Sequence, residues 1–384
     1  MTAFPDLPVV VIAPTMRSGS DLLHSLLDSH PQVLQMPGHW NLYDFWTRLS
    51  NVADSTAVVT EFIRSYPEKF DGSVNEREQW DKLGESGDSS FHVDSQAFQE
   101  AAVELLDDVP ELTPAKLAIA LTTAYALSRG TRVDQARVLL VHAHYFTELS
   151  RYEQDFSEAT ILCTVRDPRN GVLSWLKTLD RHDSLDEETV ASQLHRVLVN
   201  YLLTVPGLDE CSNVIFVKLE DLHTKGETIM HDLSHAVGID FDPLMMVSTV
   251  NGLSWHGDLS SAASIRGLRS DAPALKQQFR TEMSRQDRML IEGLLSEPMK
   301  CLGYQVSRGS RISGYLLGPF LSLRKLDLER RLHDIGRQRF GCDGRALRNY
   351  RVKRRRACLI RYGSLFKRRP TVGVILGSGQ EVRW

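Results

Sequence analysis

The feature that most constrains this chain is a strand, a tight loop and a helix written in succession over residues 8–31. Pro8-Val9-Val10-Val11-Ile12-Ala13 is a β-branched apolar run halted at Pro14, the pattern of a strand covered on both faces in a parallel sheet. Thr15-Met16-Arg17-Ser18-Gly19-Ser20 follows as a turn of mostly small residues, and Leu22, Leu23, Leu26 and Leu27 then recur at helical spacing until Ser29-His30-Pro31. A loop this short between a strand and a helix aims its backbone N–H groups, and the positive end of the helix, at whatever sits above it. Arg17, Ser18, Gly19 and Ser20 are therefore read as an anion cradle, with the hydroxyls of Ser18 and Ser20 as added donors. The loop is not of the GxxxxGK[ST] type, because Ala13 or Pro14 stands where glycine is required and no lysine follows Gly19. An ordinary strand-to-helix turn is the competing reading.

Three more units of the same kind follow. Val138-Leu139-Leu140-Val141 leads to His142 and His144, within a unit spanning Arg137 to Tyr145. Ala159 to Val165 leads to Arg166-Asp167-Pro168-Arg169 and a helix through Val172, Trp175 and Leu176. Asn213 to Lys218 leads to Glu220-Asp221-Leu222 and a helix from Gly226 to Val237. Strands alternating with helices predict an α/β fold with a doubly wound, mostly parallel sheet and a phosphate cradle of P-loop-like character. Residues 42–131 carry helical patterns and little strand character, and are read as a helical insertion over the ligand-bearing edge of the sheet. The expected organisation is an α/β domain over residues 1–310 and a basic C-terminal extension over 311–384.

Arg166 stands directly after a buried strand, eight positions before Ser174 on the following helix, so a guanidinium and a hydroxyl can converge on a second phosphate. The plainer alternative is a surface turn with Ser174 merely helical. Glu220 and Asp221 are adjacent, so their side chains diverge, and they are read as structural rather than catalytic. Trp40, Tyr43, Phe45 and Trp46 are read as packing residues before acceptor-lining ones.

With these residues in view, the chain resembles the family of sulfotransferases that use 3'-phosphoadenosine 5'-phosphosulfate. Pro14 to Val33 looks like that family's 5'-phosphosulfate loop, Val165 to Leu176 like its 3'-phosphate motif, and the likeness extends through Val217 to Leu222 and the Arg266-Gly267 region. The resemblance implies a donor bound without an obligatory metal. Arg17 would sit by the 5'-phosphate and its bridging oxygen, and Arg166 and Ser174, with Arg266 and the Gly267 backbone, would hold the 3'-phosphate. It also implies a histidine base about twenty residues before the 3'-phosphate arginine, where His144 stands. An imidazole suits that task because its ordinary pKa of about 6.5 lies near neutrality. Three positions depart from the family pattern. Asp21 replaces the usual threonine or serine, Leu22 an aromatic that some members stack on adenine, and Leu219 a common tyrosine. A carboxylate at position 21 would repel the donor unless it turns away, and Asp21 is read as a first-turn acid favoured by the helix dipole before a catalytic group.

Composition narrows the partners. The formal net charge of -4 hides a tail, Arg324 to Arg369, with roughly 17 Lys and Arg against 4 Asp and Glu, so the rest of the chain is strongly acidic. Behind the apolar stretch Gly314 to Leu321, this tail fits an anionic membrane surface, a polyanion, or solvated helices packed on the acidic body. No nucleic acid is expected. The five cysteines are scattered with no CxxC pair, which points away from a disulfide framework or zinc site and toward a reducing compartment. The N-terminus lacks the pattern of a signal peptide and no long apolar stretch occurs, so the expected location is cytoplasmic, at a membrane's cytoplasmic face if the tail binds lipid. The expected partner is a hydroxyl-bearing acceptor, above all a carbohydrate, glycolipid or small natural product, with oligomeric state open. Two other functions compete: a P-loop nucleotide kinase, which lacks the Lys-[Ser/Thr] pair for phosphate and magnesium, and a non-catalytic scaffold, for which Asp21 is the best argument.

Overall fold

The computed structural model describes residues 7–15, 17–49, 54–143, 148–156, 158–181, 213–258, 267–268, 278–309, 327, 371–378 and 380–383. Its centre is a seven-stranded sheet, built from β1 (Val9–Pro14), β2 (Val33–Leu34), β3 (Val138–His142), β4 (Thr160–Val165), β5 (Val214–Lys218), β8 (Thr371–Ile375) and β9 (Gln380–Arg383), in the order β2-β3-β1-β4-β5-β8-β9. All neighbours from β2 to β8 pair in parallel, and β9 closes the edge antiparallel to β8. Two further short strands, β6 (Thr249–Val250) and β7 (Leu253–Ser254), form a separate hairpin.

The four strands expected from apolar runs lie where their residues predict, within a residue or so at each end. β1 shows why. Its alternate residues Val9, Val11 and Ala13 enter one hydrophobic cluster and Val10 and Ile12 enter another, so both faces of the strand are covered and every position is apolar. One face is roofed by α1 (Ser20–Leu26), whose Leu23 and Leu26 pack with Ile229 and Leu233 of a later helix, Gly226–Val237.

The other face carries the insertion. Its helices are α2 (Leu42–Arg48), α3 (Ser55–Ser65), α4 (Ser95–Asp107) and α5 (Pro114–Ser128). α4 begins where the Asp94 carboxylate accepts from the Gln96 and Ala97 amides, and α5 where Thr113 accepts from Lys116 just before Pro114. α5 is apolar around most of its circumference, with Leu117, Leu121 and Tyr125 fully buried, as expected of a helix enclosed between a sheet and other helices. Trp40, Tyr43 and Phe45 pack in this core, Trp40 edge-on to Phe45 and Phe62, so these aromatics are structural.

Chain order marks the crevice that such a sheet offers to a ligand. From β1 the path runs to β2 and β3 on one side, then crosses to β4 and β5 on the other. In open α/β sheets the crevice beyond the carboxyl ends at such a reversal is the binding position. Here that crevice lies above β1 and β4, which are hydrogen-bonded neighbours.

Candidate functional site

Because β1 and β4 pair, the loops that follow them are interlocked. The Thr15 amide and hydroxyl both donate to the Thr164 carbonyl at 2.9 Å, and the Ser18 and Thr164 hydroxyls lie 2.8 Å apart. Ser18 also donates to the Thr15 carbonyl. Its buried hydroxyl is therefore a brace inside the loop and not a donor turned outward, which differs from the sequence expectation. The reason is local: Thr15 and Thr164 offer two oxygen partners within the sheet crevice. The loop's open face is left to backbone N–H groups, Ser20 and Arg17.

Two residues of the loop have left-handed backbone, Arg17 at φ 51° and Gly19 at φ 86°. Such turns gather successive N–H groups into a concave nest for an anion. Gly19 is required twice over, because a Cβ there would fall 2.5 Å from Leu219 Cδ1. The Gly19 carbonyl accepts the Leu23 amide at 3.0 Å and starts α1.

Arg166 leaves the end of β4 and donates from Nη1 to the Arg17 carbonyl at 3.4 Å. The guanidinium expected at one phosphate site thus touches the loop expected at the other, on the same edge of the sheet. Ser174 lies half-buried on α6 (Pro168–Arg181). Gly267, at φ 80°, packs so tightly on the 246–248 backbone that a Cβ would meet the Met246 carbonyl at 2.6 Å. His144 and Arg266 lie outside the described residues.

Around this nest stand groups that no local motif announces. Arg17 Nη1 lies 3.4 Å from Asp258 Oδ2, an ion pair spanning most of the chain. Asp21, on the first turn of α1, has its Oδ1 3.9 Å from Nδ1 of His142, and His24 and His39 stand edge-on to the His142 ring at 5.3 and 5.8 Å. The Asp21 side chain is 47% open to the crevice. Desolvation first, and then the Asp258 carboxylate, hold its pKa above the usual carboxylate range, while Arg17 opposes the shift. Glu78 is pushed up to about 8 by burial and by Asp21 and Asp258, and burial lowers His24 to about 4.

A cavity of ≈ 360 Å³ opens beside α1, bounded by Asp21, His24 and Gln35 on one side and by Lys69, Glu78, Trp80 and Trp255 on the other. The insertion supplies its outer wall. Lys69 is fully buried there, donating to the Pro37 carbonyl and, at 3.0 Å, to that of His39, with Nζ 5.6 Å from the centre of the Trp80 ring. Burial lowers its pKa to about 8. Asp28 ties the neighbouring segments together, accepting from Gln35 Nε2, Thr249 Oγ1 and the Gly252 amide.

A second opening of ≈ 680 Å³ lies beyond Asp167 and β5, away from the cradle loop. Its inner residues are committed to one another. Arg169 binds Asp167 and Glu292 and stacks 3.9 Å from the Phe279 ring, while Glu220 accepts from the Asp167 amide and the Tyr304 hydroxyl. Glu220 is structural, as its place at a strand end implies. Among the described residues no three His, Cys, Asp or Glu side chains gather in a metal-holding arrangement, and no helix is long and apolar enough to cross a membrane.

Comparison with known proteins adds the following. No curated protein matches the chain. Among solved structures, it is similar to the sulfotransferase domain from the Synechococcus PCC 7002 olefin synthase, at 13% identity and a TM-score of 0.42, over 82% of this chain and 97% of that one. It is also similar to the sulfotransferase domain from the curacin biosynthetic pathway, at 16% identity and a TM-score of 0.44, over 82% of this chain and 99% of that one. The model of the Sulfotransferase family matches residues 8–243, more than half the chain, with the Arg17 loop, Arg166 and Ser174 inside the match, and on that ground the protein belongs to the sulfotransferase family.

Proposed function

We propose that the enzyme transfers the sulfuryl group of 3'-phosphoadenosine 5'-phosphosulfate to an acceptor hydroxyl. The observation that carries this reading is the 3.4 Å contact between the Arg166 guanidinium and the Arg17 carbonyl, which brings two cationic, N–H-rich junctions within the span of one adenosine nucleotide. The left-handed Arg17 and Gly19 and the close approach of Leu219 fit an anion-holding loop and leave no room for a side chain at position 19.

In this reading Arg17 and the amides of Ser18 to Asp21 hold the 5'-phosphate end. Arg166 and Ser174, with Arg266 and the Gly267 backbone, hold the 3'-phosphate, the group that distinguishes this donor from ATP. When bound, the donor supplies an activated sulfuryl group. Arg17 stays protonated at any working pH, so it stabilises negative charge on the departing phosphate without giving up a proton. His144 takes the proton of the acceptor hydroxyl. Asp21 and Asp258 set a requirement: Arg17 must exchange its ion pair with Asp258 for the donor, and Asp21 must be protonated or turned aside.

The direct test is turnover with radiolabelled donor. His144→Ala should abolish transfer while adenosine 3',5'-bisphosphate still binds, and equal turnover by the variant would remove His144 from the mechanism. The carboxylates beside Arg17 favour one second reading, a nucleotide-binding scaffold without catalysis. A wild-type protein that binds the bisphosphate yet transfers nothing to a broad acceptor panel would support it.

The basic tail, in which only Asp327 of residues 310–370 is described, is proposed to hold the protein on anionic lipid or a polyanion. Truncation after Ser310 would also delete β8 and β9 from the sheet, so the cleaner variant replaces Lys353, Arg354, Arg355 and Arg356 with glutamine. Salt-sensitive binding to anionic vesicles should weaken in that variant, and unchanged binding at low salt would reject the proposal.

A further inference from the structure

Residues 254–258 form a strap that joins the cradle to the cavity wall. The strap leaves the β6–β7 hairpin, which is tied to α1 where the Thr249 hydroxyl and the Gly252 amide donate to Asp28. It then crosses to the insertion. The Gly84 amide donates to the Ser254 carbonyl at 2.9 Å, the Ser254 hydroxyl to Glu85 at 2.6 Å and Trp255 Nε1 to the Glu78 carbonyl at 2.7 Å. His256 Nε2 meets the Gly84 carbonyl at 2.7 Å. Glu78 and Trp255, joined in this way, both wall the cavity. Past Gly257, whose φ of 94° suits a sharp change of direction, the strap returns to the cradle, where Asp258 pairs with Arg17 at 3.4 Å.

The arginine most needed at one phosphate is therefore also the anchor of a wall. The side chains of Arg17 and Asp258 are 21% and 16% exposed, so water screens their attraction only in part. Asp21 and Glu78 stand around the pair, with Arg77 as a second cation. The Asp258 charge pushes both of those carboxyls up, and Arg17 pulls them down. Asp258 thus places a negative charge where carboxyls already crowd, in contact with the guanidinium that would neutralise an incoming phosphate. One guanidinium that faces both anions sets them against each other.

From this connection we infer that Asp258 is a competitor for the donor built into the fold: its carboxylate takes the Arg17 guanidinium that the 5'-phosphate requires, and a bound 5'-phosphate displaces it and frees that end of the strap. The inference rests on the sulfotransferase reading and deepens it by naming the regulation of the same site. Asp258 touches no reacting atom and acts through Arg17, which makes it a positioning residue. Donor affinity is thereby held below what the cradle reaches alone, because binding includes breaking the Arg17–Asp258 pair. The cavity wall also responds to the donor, since residues 256–258 lose an anchor while the bonds from Ser254 and Trp255 to the insertion remain.

The test is calorimetry of adenosine 3',5'-bisphosphate and adenosine 3'-phosphate on full-length wild type and Asp258→Asn. The variant should bind the bisphosphate about 10-fold tighter. It should gain less than about 3-fold for the 3'-phosphate, which brings no 5'-phosphate to Arg17. A purely structural role for Asp258 would instead weaken both. Bisphosphate affinity that is unchanged or weaker in the variant, or equal gains for the two nucleotides, overturns the inference and leaves the donor assignment standing. Bisphosphate binding by neither protein overturns the donor assignment and this inference with it. Should Asp258→Asn fail to fold, hydrogen exchange on wild type decides: the bisphosphate should slow exchange at residues 17–23 and speed it at 256–258, and exchange that is slowed or unchanged at 256–258 overturns the inference.

Discussion

Replacing Gly19 with alanine tests the cradle at its tightest point. Gly19 sits at φ 86°, where an L-residue loses about 1–2 kcal/mol of conformational energy. The added Cβ would also stand 2.5 Å from Leu219 Cδ1, well inside contact distance. Relief requires the leucine to leave its rotamer or the loop to lift off β5, a further cost of about 1–3 kcal/mol. The sum is a loss of about 2–5 kcal/mol, read by urea unfolding, with at least a tenfold loss of adenosine 3',5'-bisphosphate affinity as the N–H groups are displaced. The two contributions are separable. In a Leu219→Ala background the steric part vanishes and only the backbone part of about 1–2 kcal/mol remains, so the two substitutions should couple by about 1–3 kcal/mol. Equal cost of Gly19→Ala in both backgrounds would refute the packing argument, and a cost under about 0.5 kcal/mol would refute the loop geometry as a whole.

Three further outcomes are expected. Glu78 has its folded pKa raised to about 8, so its buried charge disfavours folding increasingly as pH rises from the ordinary carboxylate range through about 8. Glu78→Gln should therefore be more stable than wild type by about 1–3 kcal/mol at about pH 7 and no more stable at about pH 4, as read by thermal unfolding; an advantage independent of pH would contradict this. Asp21 is likewise held above the usual range, so its protonation as pH falls removes a negative charge from the cradle. Bisphosphate affinity should rise with falling pH more steeply in wild type than in Asp21→Asn, the comparison cancelling the titration of the ligand itself, and parallel profiles would show that Asp21 does not face the anion. Asp28→Ala strips the acceptor from Gln35, Thr249 and Gly252 and should cost about 2–4 kcal/mol in urea unfolding; a loss below about 1 kcal/mol would contradict the tie it makes between β2 and the β6–β7 hairpin.

The parts of this fold that could be read from sequence are those decided locally. Four strands announce themselves because both faces of each are covered, so Val9 to Ala13 or Ile161 to Val165 need no polar side. The insertion helices carry their own caps at Asp94 and Thr113. What could not be read is order across the sheet. That Arg17 and Arg166 meet depends on β4 crossing to the far side of β1, and nothing within either segment encodes it. The same holds for Asp258, which pairs with Arg17, and for Glu78, whose carboxyl feels the charge of Asp21, since both come from segments far from the cradle in the chain. β8 and β9 are not legible because they are short strands of the basic extension, one of them broken by Gly373 and bulged there. The inward turn of the Ser18 hydroxyl is hidden for a related reason: its partners Thr15 and Thr164 flank it only once β1 and β4 are paired.

The central claim is that the two strand ends at the sheet's reversal hold the two phosphate ends of one nucleotide. It is tested most directly by calorimetry without metal, comparing adenosine 3',5'-bisphosphate with ATP on wild type and Arg166→Ala. Wild type should prefer the bisphosphate at least about tenfold, and Arg166→Ala should lose about 10- to 100-fold of that affinity while its weak ATP affinity changes little. Preference for ATP once magnesium is added, or a bisphosphate affinity indifferent to Arg166, would contradict the account.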